Sequence, residues 1–235
     1  MGRGGHETTV TNTRTQSDLA IYPTEKERVE AFRKASVYPV ITTDFCAGRN
    51  PLDVVRSILE GGAKVVQVRE KTMCDRDYLI LLKEARKLTD EFGALLIADD
   101  RLDAALLADA DGVHLGQDDL PCAEARKIAP QLFIGVSTHN RDELLAAQRD
   151  GCSYLNIGPI FPTGTKSLPM NPLGLETLLE LAPQVKVPFS VMGGIKFSHL
   201  KTLRSHGCLH IAAVTAFTQA ENPAAEIRRW IAELG

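Results

Sequence analysis

Most of the residues in this chain that could act on an anion fall in a few short runs. The first is Val65-Val66-Gln67-Val68-Arg69-Glu70-Lys71. Side chains alternate along an extended strand, so Gln67, Arg69 and Lys71 share one face while Val66 and Val68 share the other. The valines suit a layer of helices, which turns the polar row toward the interior of the fold. An interior guanidinium and ammonium are costly without counter-charge, and a bound anion supplies it. An internal ion pair with Glu70 is the competing explanation.

The second group is acidic. Ala98-Asp99-Asp100-Arg101 and His114-Leu115-Gly116-Gln117-Asp118-Asp119 follow apolar runs and place Asp100 and Asp119 at the ends of neighbouring strands. Magnesium keeps several waters and takes one or two protein carboxylates together with substrate phosphates, which this pair can offer. Asp-rich turns also cap helices or sit in solvent, but beside the basic row the metal reading is preferred.

Hydroxyls and glycines complete the set. Gly135-Val136-Ser137-Thr138-His139 ends a strand in hydroxyls that either donate to a phosphate or cap the next helix. Gly158-Pro159-Ile160-Phe161-Pro162-Thr163-Gly164-Thr165-Lys166 is a stiff loop of the kind that wraps anions. Met192-Gly193-Gly194-Ile195 lets backbone approach a ligand or makes a tight turn, and Val214-Thr215 ends the last strand. The runs together describe two anion sites, one metal-assisted and one built from amides and hydroxyls. No Ser or Cys stands in triad order with a His and an acid, so no protein nucleophile is expected. His114 reads as a satisfied polar residue at a strand rim, and neither it nor His206 is given a role.

The elements that must position these residues follow from periodicity. Strands are predicted at Tyr38 to Thr42, Lys64 to Arg69, Leu95 to Asp99, Gly112 to Leu115, Leu132 to Ser137, Tyr154 to Gly158, Phe189 to Gly193 and Leu209 to Thr215. Amphipathic stretches between them, including Pro51 to Glu60, Asp75 to Phe92, Asn140 to Asp150, Leu173 to Leu181 and Pro223 to Leu234, read as helices. Such repetition fits a single (β/α)8 TIM barrel over residues 37–235. An open nucleotide-binding sheet would carry a glycine-rich turn after its first strand, and Thr42-Thr43-Asp44-Phe45 is not one. Residues 1–36 read as an N-terminal extension, a flexible tail to about residue 20 and then a helix opened by the capping-box spacing of Thr24 and Glu27. That helix, carrying Val29 and Phe32, either plugs the barrel bottom or lies on the surface.

Composition sets outer limits. The 235 residues are 44% apolar, and 27 Lys+Arg against 30 Asp+Glu leave a net charge of -3. That balance gives no electrostatic footprint for nucleic acid or an anionic membrane, so the expected partners are small phosphorylated molecules and, at most, further copies in a homo-oligomer. The five cysteines are scattered without C-x-x-C spacing. With no signal sequence and no long apolar run, the expected location is the cytoplasm.

From Tyr38 to Ile227 these motifs, in their order and spacing, resemble the thiamine-phosphate synthase family. The resemblance implies a transferase that joins 4-amino-5-hydroxymethyl-2-methylpyrimidine diphosphate to hydroxyethyl-methylthiazole phosphate with release of diphosphate. It implies that Gln67, Val68, Arg69, Glu70, Lys71, Asp99, Ser137 and Lys166 surround the pyrimidine diphosphate, with Arg69, Lys71, Ser137 and Lys166 assisting the chemistry. One Mg²⁺ would sit on Asp100 and Asp119, and Thr163, Gly164, Thr165, Gly194, Val214 and Thr215 would hold the thiazole phosphate. The chain departs from the family at Asp99, usually Asn, and at Thr215, often Ser. Two alternatives are a thiazole tautomerase-like relative, in which His139 could serve as acid and base, and a non-catalytic phosphate-binding barrel.

Overall fold

The computed structural model describes residues 20–164 and 171–235. The expected tail up to residue 19, and Thr165 and Lys166 of the anion-wrapping loop, lie outside the described residues.

Eight strands pair in parallel in sequence order and close on themselves: β1 (Val37–Ile41), β2 (Val65–Val68), β3 (Leu95–Asp99), β4 (Gly112–Leu115), β5 (Phe133–Thr138), β6 (Tyr154–Ile157), β7 (Phe189–Val191) and β8 (His210–Ala213). Pairing of β8 with β1, through Val37↔Ile211 and Tyr38↔Ala212, makes the barrel. The helices in chain order are α1 (Glu25–Arg33), α2 (Pro51–Glu60), α3 (Asp75–Phe92), α4 (Leu102–Leu107), α5 (Cys122–Ile128), α6 (Arg141–Arg149), α7 (Gly174–Leu181), α8 (Leu200–Ser205), α9 (Thr215–Thr218) and α10 (Pro223–Leu234). Local chemistry sets their ends. Asn50 accepts from the Leu52 amide at 2.9 Å ahead of Pro51, and Gly93 turns left-handed (φ 60°) to stop α3. Among the described residues no helix is long and apolar enough to cross a membrane.

Alternation along the strands divides the apolar residues into two layers. Val66, Val68, Leu96, Ala98, Val113, Leu115, Ile134 and Val136 point outward into one large core shared with the helices. Val65, Leu95, Ile97, Tyr38, Phe133, Tyr154 and Ala212 point inward and form a separate cluster at the barrel floor.

α1 closes that floor. The Thr24 hydroxyl accepts from the Glu27 amide and the Thr24 amide donates to Glu27 Oε2 at 2.9 Å, the reciprocal pair expected of the capping box. Phe32, fully buried, packs against Tyr38, Phe133, Tyr154 and His210 with ring centroids 5.7, 5.3, 4.8 and 4.9 Å away. Arg28 donates to the Gln131 carbonyl at 2.7 Å, and Arg126 reaches Glu25 at 3.0 Å and Ser153 at 2.9 Å, so the helix is fastened from several sides. Residues 20–36 therefore contribute to the barrel interior.

The last strand differs from expectation. It ends at Ala213, because Val214 leaves extended geometry (φ -100°, ψ -86°) and Thr215 opens α9. At its other end Leu209 is 56% exposed and precedes the ladder.

Candidate active site

The C-terminal ends of the strands open into one pocket. Gln67 and Arg69 from β2 and its end, Asp99 from β3, His114 from β4, Ser137 from β5 and Asn156 from β6 all line it, each at an inward position of its strand. Arg69 still belongs to the ladder, since its amide donates to the Ile41 carbonyl at 2.7 Å.

The basic row is paired with the acids of β3. Arg69 Nε stands 3.6 Å and Lys71 Nζ 3.5 Å from Asp99 Oδ2, and Lys71 also makes a close ion pair with Asp100. Glu70 is not the partner. Its carboxylate accepts from the Thr43 amide at 2.7 Å and from the Thr43 hydroxyl at 2.6 Å, holding the loop after β1. The same alternation turns the Val68 side chain into the helix layer. The side chains of Val68 and Glu70, expected around the substrate, do not line the pocket that Gln67, Arg69 and Lys71 line.

Backbone polar groups at the strand ends are held by residues behind the pocket. The Tyr78 hydroxyl donates to the Val68 carbonyl at 2.9 Å and accepts from the Asp99 amide at 2.8 Å. Arg101 donates to the carbonyls of Glu70 and Met73 at 3.0 and 2.8 Å, its guanidinium 4.6 Å from the Tyr78 ring centroid. This scaffold fixes the turn at Asp100, which sits in the left-handed region at φ 59°. Such a conformation is costly for a residue with a Cβ and is characteristic of functional sites.

The acids interact strongly. Burial, then the charge of Asp100, pushes Asp99 up to about 7 against the pull of Lys71 and Arg69. Burial works to raise Asp100, but hydrogen bonds from Asp119 and Lys71 and the charge of Lys71 outweigh it and hold Asp100 below the usual carboxylate range. Burial, followed by the hydrogen bond with Asp100, raises Asp119, although its Oδ2 accepts from the Gly116 amide at 2.7 Å. Asp100 and Asp119 therefore face one another across a shared hydrogen bond, a geometry that a divalent cation relieves. Asp99 Oδ2 is buried with no hydrogen-bond partner among the described residues. No set of three or more His, Cys, Asp or Glu side chains among them could hold an ion. The donor set fits a hydrated Mg²⁺ completed by substrate oxygens, which needs few protein ligands.

On the far side of the mouth, Thr163 and Val214 line the pocket; Gly164, Gly194 and Thr215 do not. Gly193 and Gly194 serve packing between loops: a Cβ on Gly194 would lie 2.3 Å from the Pro162 carbonyl oxygen, and one on Gly193 2.4 Å from Pro159 Cβ. The Phe161 amide donates to the Gly193 carbonyl at 3.0 Å, so the loops after β6 and β7 are joined.

Sequence reasoning missed several lining residues. His114 is satisfied, as expected, by Tyr154 and Ser137, each at 2.8 Å, yet it lines the pocket. Continuing the period-two pattern from Gly112 and Gly116 would have placed it there. His139, expected above only as acid and base of the tautomerase-like alternative, lines the pocket too, its Nδ1 2.8 Å from Glu143 Oε2. Asn156 and Met192 are inward positions of β6 and the end of β7, found by the same rule. Phe45, from a single turn after β1, has no periodic signal.

Comparison with known proteins agrees with this geometry. A family model described as thiamine monophosphate synthase matches residues 37–217. A thiamine-phosphate synthase of Caldicellulosiruptor saccharolyticus is 36% identical over 206 residues, covering 87% of this chain and 93% of the relative. One of Chlorobium luteolum is 44% identical over 175 residues, 74% of this chain and 82% of the relative. The solved thiamine phosphate pyrophosphorylase from Pyrococcus furiosus superposes with a TM-score of 0.79 at 34% identity, over 86% of this chain and 96% of that one. A barrel whose mouth gathers a basic row and an acidic pair, matched by that family over most of its length, places the chain in the thiamine monophosphate synthase family.

Proposed function

We propose that the chain is a thiamine-phosphate synthase, joining 4-amino-5-hydroxymethyl-2-methylpyrimidine diphosphate to hydroxyethyl-methylthiazole phosphate with release of diphosphate. The observation that carries this reading is the convergence of Arg69, Lys71, Asp100, Asp119 and Ser137 on one mouth in a chain of this family.

Arg69 and Lys71 bind the diphosphate and stabilise the charge that builds on it as the methylene C–O bond breaks. In the absence of substrate they are neutralised by Asp99 and Asp100. An arriving diphosphate exchanges one set of anions for another and leaves no bare cation at any stage. Ser137 donates its hydroxyl hydrogen to the same group, and Gln67 supplies a buried amide to the pyrimidine side. Asp100 and Asp119 hold Mg²⁺, which when bound supplies further positive charge to the leaving diphosphate. The amino-pyrimidine stabilises the developing methylene cation, and the thiazole nitrogen captures it. We assign Thr163, Gly164, Thr165, Gly194, Val214 and Thr215 to the thiazole phosphate and Lys166 to the diphosphate on the strength of the resemblance. The five free thiols fit a reducing cytoplasm.

The test is turnover of the two substrates across a magnesium series. Asp119→Ala is expected to lose about 10²–10³ in rate together with its metal dependence, the scale for one electrostatic group. Full turnover in excess chelator overturns the metal assignment. Isomerisation of the thiazole phosphate without condensation would shift the reading to a tautomerase that uses the His139–Glu143 pair.

A further inference from the structure

A continuous chain of hydrogen bonds leads through the barrel interior from the floor into the pocket. Tyr38 Oη on β1 lies 2.7 Å from Tyr154 Oη on β6, Tyr154 Oη 2.8 Å from His114 Nδ1 on β4, and His114 Nε2 2.8 Å from Ser137 Oγ on β5. Both phenols are fully buried, and burial first of all holds them protonated.

One residue makes the crossing possible. His114, Gly135 and Tyr154 stand side by side in the register of β4, β5 and β6. A Cβ on Gly135 would lie 2.0 Å from Tyr154 Cζ and 2.3 Å from its hydroxyl oxygen. Only glycine lets the Tyr154 ring lean across β5 to reach His114, which accounts for the glycine of Gly135-Val136-Ser137.

The hydrogens can be assigned. Among the described residues Tyr38 Oη has no other hydrogen-bond partner, so its hydrogen goes to Tyr154. Tyr154 then donates to His114 Nδ1, which fixes the neutral tautomer with its hydrogen on Nε2. That hydrogen goes to Ser137 Oγ. With its lone pair engaged from below, Ser137 keeps its own hydrogen for the pocket above. The reverse polarity would leave the Tyr38 hydrogen buried without an acceptor and turn a serine lone pair toward the diphosphate.

We propose that Tyr38 and Tyr154 are positioning residues that, through His114, set the Ser137 hydroxyl as a hydrogen-bond donor to the diphosphate. This rests on the assignment of Ser137 to the diphosphate above. The test is a double-mutant cycle with Tyr154→Phe and Ser137→Ala, read as KM for each substrate, with Tyr38→Phe as a second break in the chain. Phe133→Leu is the control: it disturbs the ring stacked on Tyr154 at 4.7 Å and leaves every hydroxyl of the chain in place.

Ser137→Ala and Tyr154→Phe are each expected to raise KM for the pyrimidine diphosphate by about tenfold, the scale of one hydrogen bond to a charged group. The double variant should match Ser137→Ala alone, and KM for the thiazole phosphate should not move. Phe133→Leu should lower the melting temperature without raising either KM. Additive effects of Tyr154→Phe and Ser137→Ala, or a Tyr154→Phe no different from Phe133→Leu, overturn the relay. A Ser137→Ala that leaves KM unchanged overturns the diphosphate assignment instead.

Discussion

The floor and the mouth of this barrel draw on inward positions of its strands, with α1 added at the floor, yet they are chemically opposite. At the floor Phe32, Tyr38, Phe133 and Tyr154 interlock without a formal charge. Two to four residues further along, the same rows present Arg69, Asp99, His114 and Ser137. Burial of aromatic surface stabilises the fold, whereas gathering charges in a half-closed pocket costs desolvation that only pairing or a ligand offsets. The difference separates the residues that keep the barrel closed from those that do chemistry. Tyr38 and Tyr154 belong to both levels, because their hydroxyls lead to His114 and Ser137; elsewhere, substitutions at the two levels should fail in different assays.

The largest effect is expected at the floor. Phe32→Ala should cost about 3–5 kcal/mol of stability, the range for emptying an aromatic site in a core. Below its melting range the variant should keep its KM values. Urea denaturation with parallel kinetics checks this, and a change in KM at full folding would blur the division between floor and mouth.

A smaller effect is expected at the mouth, from Asp99→Asn. This removes a buried carboxylate that neutralises Arg69 and Lys71 and repels the incoming diphosphate, and it supplies an amide that can donate to phosphate oxygens. Diphosphate should bind more tightly at low magnesium, on the order of tenfold or about 1.4 kcal/mol, and little differently at saturating magnesium. Calorimetric titration across a magnesium series measures it. Weaker binding at every concentration would make Asp99 a productive ligand.

The smallest effect returns to the floor, where His210 Nδ1 donates to the Ala35 carbonyl at 2.6 Å and the ring packs against Phe32. Burial, and then the charge of Arg33, lowers its pKa, partly opposed by Ala35. Below its ordinary value near 6.5 the unfolded chain therefore takes up a proton that the folded ring resists. The unfolded state binds more protons there, so stability falls as pH drops through that value. His210→Phe should flatten this slope between pH 7.5 and 5 in urea midpoints. A wild-type midpoint independent of pH in that window would remove His210 from the account.

Much of this arrangement was legible in the sequence because period-two alternation is a rigid rule. It placed Gln67, Arg69 and Lys71 in the pocket, and applied strictly it also excludes the side chains of Val68 and Glu70. The capping box at Thr24 and Glu27 announced α1, and Pro51 and Gly93 marked helix ends. What was not legible depends on contacts between elements. Nothing local tells that Glu70 holds Thr43, that Asp100 is left-handed, or that Gly135 makes room for a tyrosine from the next strand. The end of β8 was overrun because Val214 and Thr215 have strand-forming side chains but a backbone that has already turned.

The closed floor also bears on turnover. With α1 and its phenylalanine sealing one end, the described residues leave the mouth as the way in to the strand ends. Both proposed anion subsites share that mouth, so a product still held there stands in the way of the next substrate. Initial rates measured with diphosphate or thiamine phosphate added are expected to show product inhibition.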